Sequence, residues 1–99
     1  MEVLRYKPLD KGLLRGTFDL KIPKWGNLII YEMTHFIKNG HEWVAFPAKQ
    51  YDKDGEKKYF SYCRFELPET GKKFSDQCLQ AIKTYFENSH ENDRQNATY

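Results

Sequence analysis

Residues 14–22 read Leu14-Arg15-Gly16-Thr17-Phe18-Asp19-Leu20-Lys21-Ile22, a strict alternation of apolar or small with polar side chains. A period of two places Leu14, Gly16, Phe18, Leu20 and Ile22 on one face of a strand and Arg15, Thr17, Asp19 and Lys21 on the other. This is a half-buried strand with one wet face, and it commits the chain to a sheet that needs a cover on one side only. Pro23-Lys24-Trp25-Gly26-Asn27 breaks the pattern with turn residues. A second strand, rich in β-branched and aromatic residues, is expected from Leu28 to Ile37. Asn39-Gly40 then signals a tight hairpin into a third strand, Glu42 to Phe46, which Pro47 closes.

Further out the reading is coarser. Gln50 to Lys58 is a charged loop whose Asp54-Gly55 marks a hairpin tip, and Tyr59 to Leu67 resumes as strand. Asp52-Lys53-Asp54-Gly55 resembles part of a calcium loop, but the twelfth position is Ser61, so the bidentate Glu is missing. After Pro68 the period changes: Phe74, Cys78, Ala81, Ile82 and Tyr85 fall at helical spacing. Thr70 and Ser75 are both candidate caps of the helix start. Met1 to Tyr6 adds a short strand. The fold class expected is α+β, a four- to five-stranded antiparallel meander with one C-terminal helix packed on one face. Residues 1–87 form its single domain, and 88–99 a polar tail too poor in apolar residues to order itself.

The 99 residues carry a net charge of +2 and a mean hydropathy of −0.84. No apolar run is long enough for a transmembrane helix, and the first residues lack the apolar core of an export signal, so a cytoplasmic protein is expected, with no membrane partner. In that setting Cys63 and Cys78 read as free, buried thiols; their separation from each other and from His35, His41 and His90 argues against a metal site. The charge is uneven. Residues 1–73 carry 14 basic and 10 acidic side chains, a balance of +4, and the remainder carries −2. The near-neutral total therefore does not exclude a nucleic-acid partner.

Nothing in the chain reads as an active site: there is no phosphate-cradling glycine loop, nucleophile elbow or zinc-protease helix. No enzyme activity, cofactor, metal or small-molecule substrate is expected. The informative feature is the aromatic surplus, 7 Phe, 7 Tyr and 2 Trp. If Tyr59, Cys63, Phe65 and Leu67 face the helix, Phe60, Tyr62 and Arg64 lie on the sheet's uncovered face. There they form either a platform on which bases stack or a dimer seam. Arg15 and Lys21 join them if their strand shares that wet face. Lys24, Trp25, Lys49, Lys53, Lys57, Lys58, Lys72 and Lys73 lie around the rim, suited to phosphates. Solvation is the competing reading of the lysines at 49–58, which are interleaved with Asp52, Asp54 and Glu56.

Trp43-Val44-Ala45-Phe46-Pro47-Ala48-Lys49, followed by Asp54-Gly55, resembles the central signature of SpoVG-type proteins, an aromatic-Val-x-Met-Pro-Ser-Lys stretch before an Asp-Gly turn. Leu14 to Phe18, Asn39-Gly40 and the helix Lys72 to Phe86 fall where that family has its second strand, its hairpin and its first C-terminal helix. Gln50 stands where the family often has Arg, and its His-Pro after the turn is replaced by Tyr62-Cys63-Arg64. The resemblance implies a small sheet with a C-terminal helix, a homodimer formed by strand pairing, and nucleic-acid binding by bacterial regulators with relatives in phages and mobile elements. Lys49 matches the motif lysine, and Lys72 and Lys73 match part of the basic group near the helix start. Together these readings give DNA, preferably single-stranded, as the expected partner. The alternative is a protein-interaction module, such as a phage- or mobile-element-encoded partner of a host protein.

Overall fold

A computed structural model describes the backbone of residues 1–97 and, within it, the side chains of residues 1–88. The elements run β1 (Glu2–Lys11), β2 (Leu14–Ile22), a 3-10 turn (Pro23–Trp25), β3 (Leu28–Lys38), β4 (His41–Ala45), β5 (Ala48–Lys53), β6 (Glu56–Ser61) and α1 (Pro68–Ala97). The first four strands form an antiparallel meander in the order β1-β2-β3-β4, and β5 and β6 form a separate two-stranded sheet. The fold is therefore the α+β sheet-plus-helix architecture expected, with α1 on one face of the meander.

The alternation in β2 places its side chains as the sequence dictates. Gly16, Phe18 and Leu20 are buried and pair across to His35, Met33 and Ile30 on β3. Val3 of β1 lies opposite Leu20, and these residues meet Cys78, Ala81 and Ile82 of α1 to make the core. Phe74 and Tyr85 extend the same helical stripe, spaced so that one side of α1 faces the sheet. The helix begins at Pro68, two residues before Thr70, because proline needs no N–H partner in a first turn. Neither expected cap acts at the start: the Thr70 and Gly71 amides donate to the Leu67 carbonyl. Ser75 instead takes the Val44 N–H at 3.1 Å, tying the helix to the free edge of β4.

The uncovered face of the meander exists, but it carries other residues than expected. Lys7, Thr17, Thr34 and Ala45 lie across it in successive strands. Phe36 and Trp43 pair beside them with ring centroids 5.4 Å apart. Strand β1 is also longer than the expected Met1 to Tyr6, a full ten residues whose edge position tolerates Pro8.

Tyr59 to Leu67 is not the single strand expected. Strand β6 starts earlier, at Glu56, and stops at Ser61; its partner is β5, inside what the sequence suggested was a loop. Pairing ends where the Tyr62 amide donates to the Pro47 carbonyl. Beyond that point Phe65 turns inward against Phe46 and Phe74, at centroid distances of 5.6 and 5.1 Å, which aims the chain at α1. Tyr59, Cys63 and Leu67 are consequently exposed rather than buried against the helix. Cys63 is thus an exposed thiol, while Cys78 is buried and its pKa is pushed up to about 12 by that burial. No helix among the described residues is long and apolar enough to cross a membrane. Apart from Asn88, the 88–99 tail lies outside the residues whose side chains are described, and so does His90.

Candidate nucleic-acid interface

The β5–β6 hairpin leaves the body of the molecule with every residue exposed. Six residues at about 3.3 Å each make an arm of roughly 20 Å. Its tip is Asp54-Gly55 with φ of 53° and 78°, the left-handed pair that a two-residue type I′ turn requires. That turn sets the register, and the register sorts the side chains.

Residues directly opposite each other across an antiparallel pair share a face. Lys49 is opposite Phe60, Tyr51 opposite Lys58, and Lys53 opposite Glu56, so these six form one face. Ala48 with Ser61, Gln50 with Tyr59, and Asp52 with Lys57 form the other. The first face holds three lysines, two rings and one carboxylate, while the second is neutral. The interleaving of lysines with acids along the sequence therefore disappears in three dimensions. Asp52 goes to the second face, Glu56 stands opposite Lys53, and the row Lys49, Tyr51, Lys58, Phe60 is free of carboxylates. Phe60 is 64% exposed and Tyr62, just past the strand, 65%. Two rings beside two unopposed ammonium groups provide stacking surface and phosphate contacts on one side of one ribbon.

The remaining expected residues divide into four groups. Lys24, Trp25 and Arg64, some 40 positions apart in sequence, come together around one groove next to the hairpin's base. Lys72 and Lys73 are exposed near the start of α1, beyond the segment that leaves the hairpin. Arg15 and Lys21 do not join Phe60 and Tyr62, because β2 belongs to the other sheet. Lys21 pairs with Glu2 at 3.0 Å. A register irregularity between Leu14 and Gly16 accompanies Arg15, which lines a cavity with Tyr6, His35 and Glu42. Lys57 is on the hairpin's neutral face, opposite Asp52.

That cavity contains a polar arrangement that the sequence did not suggest. The Tyr6 hydroxyl lies 2.9 Å from His35 Nδ1, and His35 Nε2 lies 3.2 Å from Glu42 Oε1. A carboxylate only accepts, so Nε2 carries the proton and Nδ1 accepts from the Tyr6 O–H. Each partner comes from a different strand: Tyr6 from β1, His35 from β3, Glu42 from β4. Gly16 supplies the passage on β2, since a Cβ there would come within 2.5 Å of the Tyr6 ring. Burial lowers the His35 pKa, with Glu42 opposing the shift, and burial raises that of Tyr6, with Arg15 opposing. With every polar group satisfied, this relay is a transverse tie across four strands. The only sequence signals for it were Gly16 in mid-strand and a histidine on an apolar face. Among the described residues no three metal-ligating side chains converge.

No protein family, curated protein or solved structure matches the chain. The interface stands on its own geometry.

Proposed function

We propose that this chain is a small, non-enzymatic, cytoplasmic nucleic-acid-binding protein that acts as a homodimer and grips its ligand with the β5–β6 arm. The observation that carries this reading is the hairpin face on which Lys49 and Lys58 alternate with Tyr51 and Phe60 while Asp52 lies on the opposite side. Single-stranded DNA is the preferred ligand, because rings as exposed as Phe60 and Tyr62 stack on splayed bases and have no access to paired ones. The lysines supply affinity without sequence information. A second copy is supported by the hairpin itself, since an isolated two-stranded ribbon is only marginally stable in water. The resemblance to SpoVG-type proteins implies the same partner class.

Fluorescence anisotropy of a labelled single strand, titrated across salt concentrations, tests the reading. Engagement of the three lysines predicts a log–log salt slope near −2, at about −0.7 per phosphate neutralised on a single strand. Binding that does not change with salt, or no binding at all, would refute it. The runner-up is a protein-interaction module, favoured by the small net charge of +2 and by the neutral second face of the arm. On that reading the exposed rings contact a protein partner, and Lys58→Ala leaves nucleic-acid retention at background.

A further inference from the structure

A groove of about 670 Å³ opens beside the base of the arm, between the 3-10 turn, the start of β3, the first half of α1 and the segment 63–65. Its size falls within the roughly 300–1,000 Å³ of small-ligand sites. Ile22, Ile30 and Phe74 line it with apolar surface, and Leu28 extends that lining to the rim. Trp25 stands there 73% exposed. It has no aromatic partner among the described residues, yet its backbone is well held. Pro23 opens the turn, Gly26 closes it in the left-handed conformation, and the Asn27 amide bonds to the Pro23 carbonyl. A large ring is thus presented to solvent on a braced turn, which burial of apolar surface does not account for.

The side-chain charge around the groove is of one sign. The charged side chains lining it are Lys24 and Arg64, and no carboxylate joins them. Gln77, projecting from α1, contributes an amide with both donor and acceptor. A slot with apolar walls, a tryptophan at its lip, one amide and two cations complements a flat heterocycle that carries hydrogen-bonding edges and an attached anion. A purely hydrophobic peptide would leave both cations unmatched. The groove also continues the arm: Tyr62 directly precedes the Cys63–Phe65 segment that forms one wall.

We infer that this groove receives one unstacked nucleobase of a bound single strand, with its ring against Trp25, its edge toward Gln77 and its flanking phosphates on Lys24 and Arg64. The inference rests on the nucleic-acid reading above and adds a base-recognising subsite to a backbone-gripping arm. Stacking on the arm is sequence-tolerant, whereas a groove with an amide at its side discriminates among bases.

The test compares two labelled single strands of equal length, one of mixed sequence and one whose nucleotides are all abasic, by anisotropy at a fixed salt concentration. Trp25→Ala removes the lip, and Gln77→Trp fills the slot from an exposed helical position. The base-bearing strand is expected to bind each variant roughly ten-fold more weakly than the wild type. The abasic strand, held through phosphates alone, is expected to bind variants and wild type alike. Equal losses on both strands, no loss on either, or a wild type that does not distinguish the strands would overturn the subsite while leaving the arm's salt-dependent binding in place. A wild type that binds neither strand overturns both proposals. A fall in oligomeric mass in either variant shows that a second copy occupies the groove, and also overturns the inference.

Discussion

The β3–β4 and β5–β6 hairpins are built to the same local plan and meet different fates. Both turn on a two-residue left-handed pair, Asn39-Gly40 in one and Asp54-Gly55 in the other. Both carry aromatic side chains, but the lysines cluster in the second: β3 and β4 hold Lys38 alone, whereas β5 and β6 hold Lys49, Lys53, Lys57 and Lys58. In the first, α1 covers one face, so Met33 and His35 are buried and Val44 is tied to Ser75. In the second no residue is buried at all. Local sequence thus encodes a ribbon equally well in both places. Whether the ribbon becomes core or arm depends on where the helix lands, and Phe65 decides that by packing on Phe46 and Phe74.

The sharpest test of the contrast substitutes one phenylalanine in each region. Phe18→Ala in the covered sheet is expected to cost about 3–5 kcal/mol in urea unfolding. Phe60→Ala on the arm should stay within about 0.5 kcal/mol of the wild type. A loss at Phe60 as large as that at Phe18 would mean that the arm is buried in the assembled protein, and the contrast would fail.

Gly16→Ala probes the covered side further. The added methyl meets the Tyr6 ring within 2.5 Å, so the ring must shift and its hydroxyl must leave His35. A loss of about 1–3 kcal/mol is expected, in the range of overpacked cores. An unchanged midpoint would show that the tie across the strands contributes nothing.

The same tie gives the sheet a pH dependence. Burial holds the His35 pKa below its ordinary value near 6.5 in the folded state. The unfolded chain therefore takes up the proton first as pH falls. The stability that neutral His35 contributes is complete above about 6.5 and is lost as pH drops through the folded value. Chemical denaturation between neutral and mildly acid pH should show this decline, and His35→Gln should flatten it. A decline that survives the substitution belongs to other groups.

The smallest effects separate the two faces of the arm. Lys58→Ala should weaken single-strand binding and reduce the magnitude of the salt slope by about 0.7, the share of one phosphate. Lys57→Ala, next door in sequence but opposite Asp52 on the neutral face, should leave the slope nearly unchanged. Equal effects from both lysines would mean that the ligand does not distinguish the faces.

Much of this architecture is legible in the sequence. The period of two in Leu14 to Ile22, the Asn-Gly and Asp-Gly turns and the 3.6-residue stripe from Phe74 to Tyr85 are local patterns, and each produced the expected element. Phe60, Tyr62 and the arm's lysines are legible as exposed candidates, since the two rings exceed what a one-helix core absorbs. Tyr51 carries no such signal inside its charged stretch, and alternation places Tyr59 against the helix, whereas both are exposed on the arm. Grouping Arg15 and Lys21 with Phe60 and Tyr62 assumes a single continuous sheet, and nothing local announces that β5 and β6 pair only with each other.

What the sequence by itself determined is therefore the turns and the elements other than β5 and β6, because backbone propensity and side-chain periodicity act over a few residues. The tertiary structure alone decided which rings remain outside, which charges share a face, and that Tyr6, Gly16, His35 and Glu42 meet across four strands. It also brought Lys24, Trp25 and Arg64 to one groove. Those outcomes depend on register and on the path of the chain between sheets, where a slip of one residue inverts every face.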